Sequence, residues 1–397
     1  MRRSLTGVIA FLAFSTPFLV PPVQAAPPHR PVETSIESIP MGSLVLPAVG
    51  ALVRPGTGVQ ALGLPQAPPA LSVMRTGTRE FSLVGVTWTH DPAVTDTGVR
   101  VRVQSAAGTW GEWTEIAAHE SGPDATATRG TSIRGGTEPV WTGPSTGVEA
   151  EVVTRSGAHP LDVHLDLVVA GTSAADTTLV TPVKDSARAA AAAIHTREEW
   201  GADESIRTWE PEYASTIKAA TLHHTAGTNA YTADQVPAMI RGIYRYHAVS
   251  RGWGDIGYNV LVDRFGQIWE GRYGGLESTV IGAHAGGFNT GTVGVALLGN
   301  YDSVDTTAPM IDAAETFIAW KFSLFDVDPT ASTKLTSGGG GTAKYPRGVT
   351  VKVPTIFAHQ DVGNTLCPGR YGYAQLPGIR TAVAQRLADA RPLSHSQ

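Results

Sequence analysis

Cysteine, basic charge and long apolar runs are all scarce in this 397-residue chain. Cys367 is the single cysteine, so the chain cannot form an internal disulfide. The formal net charge is −5, so the chain lacks the excess of basic residues that is typical of nucleic-acid-binding proteins. Beyond the first residues no stretch has the length of a membrane helix, and we expect no stable membrane insertion. The sequence also lacks a His-Glu-x-x-His helix, which argues against zinc peptidases of that class.

The first residues have the pattern of an export signal. Arg2 and Arg3 precede an apolar run over residues 5–20, and Val-Gln-Ala at 23–25 fits a small-residue cleavage site. We therefore predict a signal peptide over residues 1–25 and a soluble, secreted mature protein. The paired arginines leave the choice between general and twin-arginine export open.

Composition divides the next part of the chain into a lead and a β-rich region. The chain has 44 glycines and 27 prolines, and residues 26–78 are rich in Pro, Ala and Gly without a sustained period, which predicts a low-order lead. Val99, Val101 and Val103 alternate with Arg100, Arg102 and Gln104, which predicts one buried and one wet face, and residues 161–167 repeat this pattern. We predict a smaller all-β, sandwich-like domain over residues 79–170.

Four tryptophans lie in this predicted β-domain: Trp88, Trp110, Trp113 and Trp141. Exposed tryptophans would stack on sugars and make the domain a wall-binding module, whereas buried ones would fill its core. Both alternatives stay open at this point. The pattern shows no cluster of titratable residues, so we expect a separate, non-catalytic domain, joined by a linker over residues 171–193.

Residues 194–390 alternate strands with helices, and residues 391–397 form a short tail. Residues 219–223 are apolar and bounded, as in a buried strand. Thr232 could cap a helix, residues 264–266 indicate a hairpin turn, and a second helix should cover residues 308–325. This alternation predicts an α/β domain with a central mixed sheet flanked by helices.

Two histidines and the lone cysteine are placed to meet at one edge of that sheet. His223 closes one predicted strand, His359 closes another, and Cys367 follows in the loop after the second. Three such ligands leave one tetrahedral position open, which is the catalytic zinc pattern, and such a site hydrolyses amides or esters. The alternative is a buried Cys367 that acts as a small hydrophobe.

Five segments resemble one known family in their order and content. They are Leu-His-His-Thr-Ala-Gly at 222–227, Gly-Trp-Gly-Asp-Ile-Gly-Tyr-Asn at 252–259, Gly-Ala-His-Ala at 282–285, Val-Gly-Val-Ala-Leu-Leu-Gly-Asn at 293–300 and residues 359–369. Together they resemble the peptidoglycan recognition protein and type 2 N-acetylmuramoyl-L-alanine amidase family. The resemblance implies zinc-dependent cleavage of the amide between the muramic acid lactyl group and L-alanine. Peptidoglycan and muropeptides are then the partners, and we expect a cell-wall-associated monomer.

The resemblance also implies roles for individual residues. His223, His359 and Cys367 match the ligands of one zinc ion per chain. Tyr258 matches a catalytic tyrosine, and Thr365 matches a position that is Lys or Thr in different branches. One branch carries a catalytic Glu where this chain has Ala296, so no carboxylate base can be assigned and the tyrosine-based branch is favoured.

The remaining candidates are side chains of a substrate groove: His224, His247, Gly252, Trp253, Arg272, His284 and Asn289. In the resembled family a Gly-Trp pair such as Gly252-Trp253 accompanies binding of diaminopimelate stems, and Asn-Phe accompanies lysine stems. A rival function is peptidoglycan binding without cleavage. Cys367 separates the two functions, because non-catalytic members typically lack that ligand.

Overall fold

The computed structural model describes residues 30–42, 71–118, 122–124, 133–156, 158–179, 194–340 and 342–390. The predicted signal peptide, most of the lead, the end of the predicted linker and the tail lie outside these residues. None of the helices found in the described part of the chain is long and apolar enough to cross a membrane.

The first part of the chain is an all-β domain, as the alternating pattern predicts. Its strands are β1 (Ser35–Gly42), β2 (Leu71–Thr89), β3 (Asp96–Ser105), β4 (Thr114–Ile116), β5 (Arg134–Gly136), β6 (Val140–Ser156) and β7 (Val163–Val169). They form an antiparallel sheet in the order β1-β7-β2-β6-β3-β4, with β5 paired to β2. The register between β2 and β6 shifts around Phe81, where these long strands change their pairing.

Two expectations for this region are wrong. Strand β1 lies inside the predicted low-order lead and pairs with β7 from Ser35 to Gly42, while β2 begins eight residues before the predicted domain start. Arg100, predicted on the wet face of β3, is buried against Glu151 and under Trp113. Both differences come from partners that are distant in sequence.

The tryptophans divide between the two alternatives. Trp88 and Trp141 are buried in hydrophobic clusters, with 1% and 8% of their surface exposed. Trp110 and Trp113 are half-buried, and the guanidinium of Arg102 lies 5.2 Å and 5.0 Å from their ring centres. The guanidinium therefore occupies one face of each ring.

The second part is an α/β domain with a mixed sheet, which confirms the predicted fold class. Its strands are β8 (Ile194–His195), β9 (Ala219–His224), β10 (Val260–Val262), β11 (Ile268–Glu270), β12 (Thr292–Leu297), β13 (Ser332–Thr336), β14 (Thr350–Pro354) and β15 (Ile356–Ala358). Its helices are α1 (Val236–Arg245), α2 (Ala308–Phe325), α3 (His359–Val362), α4 (Gly369–Ala374) and α5 (Leu376–Ala390). The main sheet has the order β15-β9-β12-β10-β11-β8, and β13 pairs with β14 alone.

Local sequence explains where the main elements begin and turn. Thr307 caps α2 by accepting a hydrogen bond from the backbone of Met310, and Pro309 lies in the first turn. The predicted hairpin joins β10 to β11 in antiparallel register, with Gly266 at a φ of +87° in its turn. Strands β15, β9, β12 and β10 are parallel, so their carboxyl ends meet at one edge.

The two domains share a core, so the prediction that the β-domain packs separately from the α/β domain is wrong. Helices α2 and α5 cover one face of the main sheet. On the other face α1 packs together with Leu83, Trp141 and Val168 of the β-domain. The Tyr246 hydroxyl lies 3.1 Å from two β-domain carbonyl oxygens, those of Val86 and Thr137. Burying each large apolar side chain stabilises the fold by about 1.5–3 kcal/mol. An α/β domain without the β-domain, beginning near residue 190, would lose this stabilisation.

Candidate active site

The three predicted metal ligands meet at the carboxyl edge of the main sheet. His223 lies near the end of β9, and β15 pairs with β9 in parallel through Ala358 and Leu222. His359 therefore follows directly beside His223 as the first residue of α3, and Cys367 lies just before α4. The ligand atoms of the three residues all lie within 4.8 Å of one another. All three side chains are buried.

This donor set fits zinc. The Sγ atom of Cys367 lies 3.6 Å from Nδ1 of His223, and Nε2 of His223 lies 3.0 Å from Nδ1 of His284. Burial lowers the pKa of His284 to about 3, so its neutral ring can accept the Nε2 proton of His223. The Nδ1 lone pair of His223 then faces Cys367. Burial raises the pKa of the Cys367 thiol, and a bound cation would stabilise the thiolate in its place.

His224 and Thr365 support the ligand loop. His224 donates its backbone N–H to Sγ of Cys367 at 3.3 Å, while its Nδ1 accepts from the N–H of Tyr301 at 3.2 Å. The side chains of His223 and His224 point to opposite faces of β9, as successive strand residues do. Thr365 accepts the backbone N–H of Cys367 at 3.1 Å. These contacts shape the loop that carries the cysteine.

Tyr258 lies beside the three predicted metal ligands and forms a hydrogen bond to a residue of the β-domain. Its ring centre is 5.6 Å from that of His223, and its hydroxyl donates to Oε2 of Glu138 at 3.2 Å. Burial and the nearby Glu138 carboxylate raise the pKa of Tyr258, so the hydroxyl keeps its proton at neutral pH. Sequence reasoning missed Glu138, because Thr137-Glu138-Pro139 carries only the pattern of a loop.

His247 and Trp253 line the site next to Tyr258. His247 lies in a π-helical turn, Tyr246–Ser250, that continues α1, a deviation frequent at functional sites. Its Nδ1 accepts from the N–H of Gly257 at 3.3 Å, and its Nε2 lies 3.8 Å from Oε2 of Glu138. Its ring packs 4.4 Å from that of Trp253. Gly252 adopts a φ of +68°, which explains the glycine before the tryptophan.

Three other predicted groove residues lie deeper. Arg272 stacks 3.7 Å from the ring centre of Trp209 and donates to the carbonyl of Ile256 at 3.0 Å; burial lowers its pKa to about 10. His284 is buried behind His223, where it orients that ligand. Asn289 accepts two backbone N–H groups with Oδ1 and donates from Nδ2 to Asp124 of the β-domain at 2.7 Å.

The whole constellation is closed to solvent. The following side chains have at most 3% of their surface exposed: His223, His224, His247, Trp253, Tyr258, Arg272, His284, Asn289, His359 and Cys367. Two β-domain segments, residues 122–124 and 134–138, contribute to this cover. A Cβ on Gly122 would lie 3.4 Å from Nε1 of Trp253, and the Nε of Arg251 donates to the carbonyl of Arg134 at 3.0 Å. Sequence reasoning missed both segments.

Comparison with known proteins assigns both parts of the chain. Residues 213–370 match the N-acetylmuramoyl-L-alanine amidase family, and residues 48–194 match the family described as Rv3811 N-terminal galactose-binding domain-like. Peptidoglycan-recognition protein SC2 of Drosophila simulans is 32% identical over 176 residues, which cover 44% of this chain and 80% of that protein. Peptidoglycan recognition protein 1 of Bos indicus is 28% identical over 177 residues, 44% of this chain and 78% of its own. The solved structure of Drosophila PGRP-LB is 25% identical with a TM-score of 0.36, covering 46% of this chain and 91% of that one.

Proposed function

Because the chain belongs to the peptidoglycan recognition protein and N-acetylmuramoyl-L-alanine amidase family, we propose that it is a secreted, zinc-dependent amidase. The substrate is peptidoglycan, and the bond cleaved is the amide between the muramic acid lactyl group and L-alanine. The observation that carries this proposal is the convergence of His223, His359 and Cys367 at one sheet edge. Three ligands of this kind are typical of catalytic zinc.

The chain's own residues would prepare this reaction. Zinc, when bound, lowers the pKa of a water molecule and polarises a carbonyl. His284 fixes the tautomer of His223, and the buried surroundings strengthen each electrostatic contact. The protonated hydroxyl of Tyr258 can donate a hydrogen bond to the amide oxygen, where negative charge develops. It becomes available when its hydrogen bond to Glu138 is broken. Hydrolysis then yields a lactyl carboxylate and the free amine of L-alanine.

Binding of peptidoglycan without cleavage is the rival function. The names of the relatives describe recognition, and the buried groove would serve either activity after opening. Cys367 favours the amidase, because the resembled family's non-catalytic members typically lack this ligand.

Identification of the bond that is cut tests the proposal. Incubation of the zinc-loaded full-length protein with purified peptidoglycan should release new L-alanine amino termini and leave glycan strands with free lactyl carboxyl groups. A strong chelator should stop the release, and added zinc should restore it. Mass spectrometry of the products checks both ends of the bond. Tight binding of soluble muropeptides without any new amino terminus would support the rival function instead.

We also expect a preference for stems that carry diaminopimelate. Trp253 follows Gly252, which adopts a φ of +68°, and its ring provides an apolar wall for the longer side chain. Digestion of diaminopimelate-type walls should be about tenfold faster than digestion of lysine-type walls, since one recognised polar group typically contributes that much or more. Rates on the two wall types, measured at equal peptide concentration, decide the matter. Equal rates, or faster cleavage of lysine stems, would contradict the assignment.

A further inference from the structure

The β-domain meets the groove through two carboxylates. Asp124 lies on the first covering segment and Glu138 on the second, with 6% and 2% of their surfaces exposed. Gly122, beside Asp124, packs on Trp253, and Glu138 contacts Tyr258. The covering segments therefore extend from Tyr258 at one end of the groove to Trp253 at the other.

Asp124 is held by a turn of the α/β domain, residues 287–290. Its Oδ1 accepts from the N–H of Gly287 at 2.9 Å, the N–H of Asn289 at 3.4 Å and Nδ2 of Asn289 at 2.7 Å. Its Oδ2 accepts from the hydroxyl of Thr290 at 3.3 Å. The side-chain amide of Asn289 is held with Nδ2 towards Asp124, because its Oδ1 already accepts the backbone N–H groups of His284 and Ala285. Several preorganised donors on one carboxylate make a carboxylate-binding site.

Glu138 occupies the other end of the groove. Tyr258 has a single hydroxyl proton, and in this structure that proton forms the hydrogen bond to Glu138. The Nε2 atom of buried His247 lies 3.8 Å from the same carboxylate oxygen and has no hydrogen-bond partner in the structure. Both side chains are thus directed at an acceptor that the β-domain supplies.

We propose that the covering segments are an intramolecular stand-in for the substrate, in which Glu138 replaces the reacting acyl group and Asp124 replaces a stem-peptide carboxylate. The turn at residues 287–290 is then the subsite that recognises this carboxylate. The inference rests on the proposed function and adds a specificity site and a self-inhibited state to it. Peptidoglycan stems fit the subsite because they carry free carboxylates, which neutral backbone and amide donors bind well.

The closed arrangement predicts that weakening it exposes the site. If the segments leave the groove only a small fraction of the time, the apparent affinity for substrate falls by that fraction. Replacing Asp124 and Glu138 by alanine in the full-length chain removes the contacts that hold them, while the shared core still joins the domains. Glu37→Ala is the matched control, because Glu37 is an exposed carboxylate on β1 of the same domain.

Calorimetry on metal-free protein measures binding without turnover. The probes are a muramoyl tripeptide with diaminopimelate and a free α-carboxyl group on its second residue, and the same peptide with that group amidated. We expect the Asp124→Ala, Glu138→Ala double variant to bind the free acid at least about tenfold more tightly than wild type and Glu37→Ala do. It should prefer the free acid over the amide, whereas Glu138→Ala alone, which keeps Asp124 in the subsite, should show a smaller preference.

Access of a thiol reagent to Cys367 in the same metal-free proteins reports closure without any muropeptide. Modification should be about tenfold faster in the double variant than in wild type. Faster modification with no muropeptide binding would uphold the closed state and refute the proposed function. Equal modification rates and equal affinities would overturn the stand-in while leaving the function intact.

Asp124→Asn and Glu138→Gln keep the side-chain shape, and these variants replace the alanine variants if the latter do not fold. A Glu138→Gln variant with lower turnover and unchanged affinity would instead make Glu138 a participant in the reaction.

Discussion

Cys367→Ala should abolish zinc binding and amide hydrolysis together. Loss of a residue that merely orients a ligand costs about 10–100-fold in metal affinity, so loss of a direct ligand should cost more. The thiol also lies between His223 and the backbone of His224, and alanine leaves both without the sulfur contact. Zinc per chain, measured by elemental analysis after dialysis, should fall close to zero, and peptidoglycan hydrolysis should fall by at least about 10³-fold.

Leu366→Ala is the control for this experiment. Leu366 precedes the cysteine in the same loop, with 72% of its surface exposed, so its loss perturbs the loop without touching the site. Zinc should also raise the melting temperature of wild type and of Leu366→Ala, but not of Cys367→Ala, because a ligand stabilises only the fold that binds it. A Cys367→Ala protein that retains stoichiometric zinc and full turnover would refute the ligand assignment.

The convergence of His223, His359 and Cys367 could be predicted from sequence because local patterns determine it. Strands β9 and β15 are short apolar runs with a histidine at the end, and parallel pairing brings such ends to one edge. Helix α2 follows from Thr307 and the residues after it, which cap and fill a helix. In each case the residues that decide the structure are neighbours in sequence.

The β-domain's part in the site could not be predicted in this way. Glu138 meets Tyr258 across 120 residues, and Asp124 meets Asn289 across 165. These contacts depend on how two domains pack, which no periodicity encodes. Strand β1 could not be predicted because Ile36 and Ile39 are three residues apart and show no alternation, and its partner β7 lies more than 120 residues further on. The domains share a core because α1 is buried on nearly every side, which leaves the β-domain as one of its neighbours.

Tyr258→Phe should lower turnover by on the order of 10²-fold while zinc content stays near one per chain. The substitution removes one hydroxyl from a buried site, and losing a donor to developing negative charge typically costs about 10²–10³-fold in rate. Burial keeps this hydroxyl protonated, so the wild-type donor is available throughout the neutral range. The variant also loses the hydrogen bond to Glu138, which loosens the closed state. The apparent KM for soluble muropeptides should therefore stay constant or fall while kcat falls.

Tyr231→Phe is the matched control, because Tyr231 is also buried and donates its hydroxyl to the carbonyl of Leu298 at 2.9 Å, away from the metal ligands. This variant should lose stability of about 1 kcal/mol and keep its turnover per folded molecule. Single-turnover measurements separate the chemical step from opening of the groove, which Tyr258→Phe eases and Tyr231→Phe leaves unchanged. A Tyr258→Phe enzyme with wild-type kcat would show that the hydroxyl only holds Glu138 in place. Equal losses of kcat in the two variants would assign the effect to general destabilisation of the sheet rather than to the reacting amide.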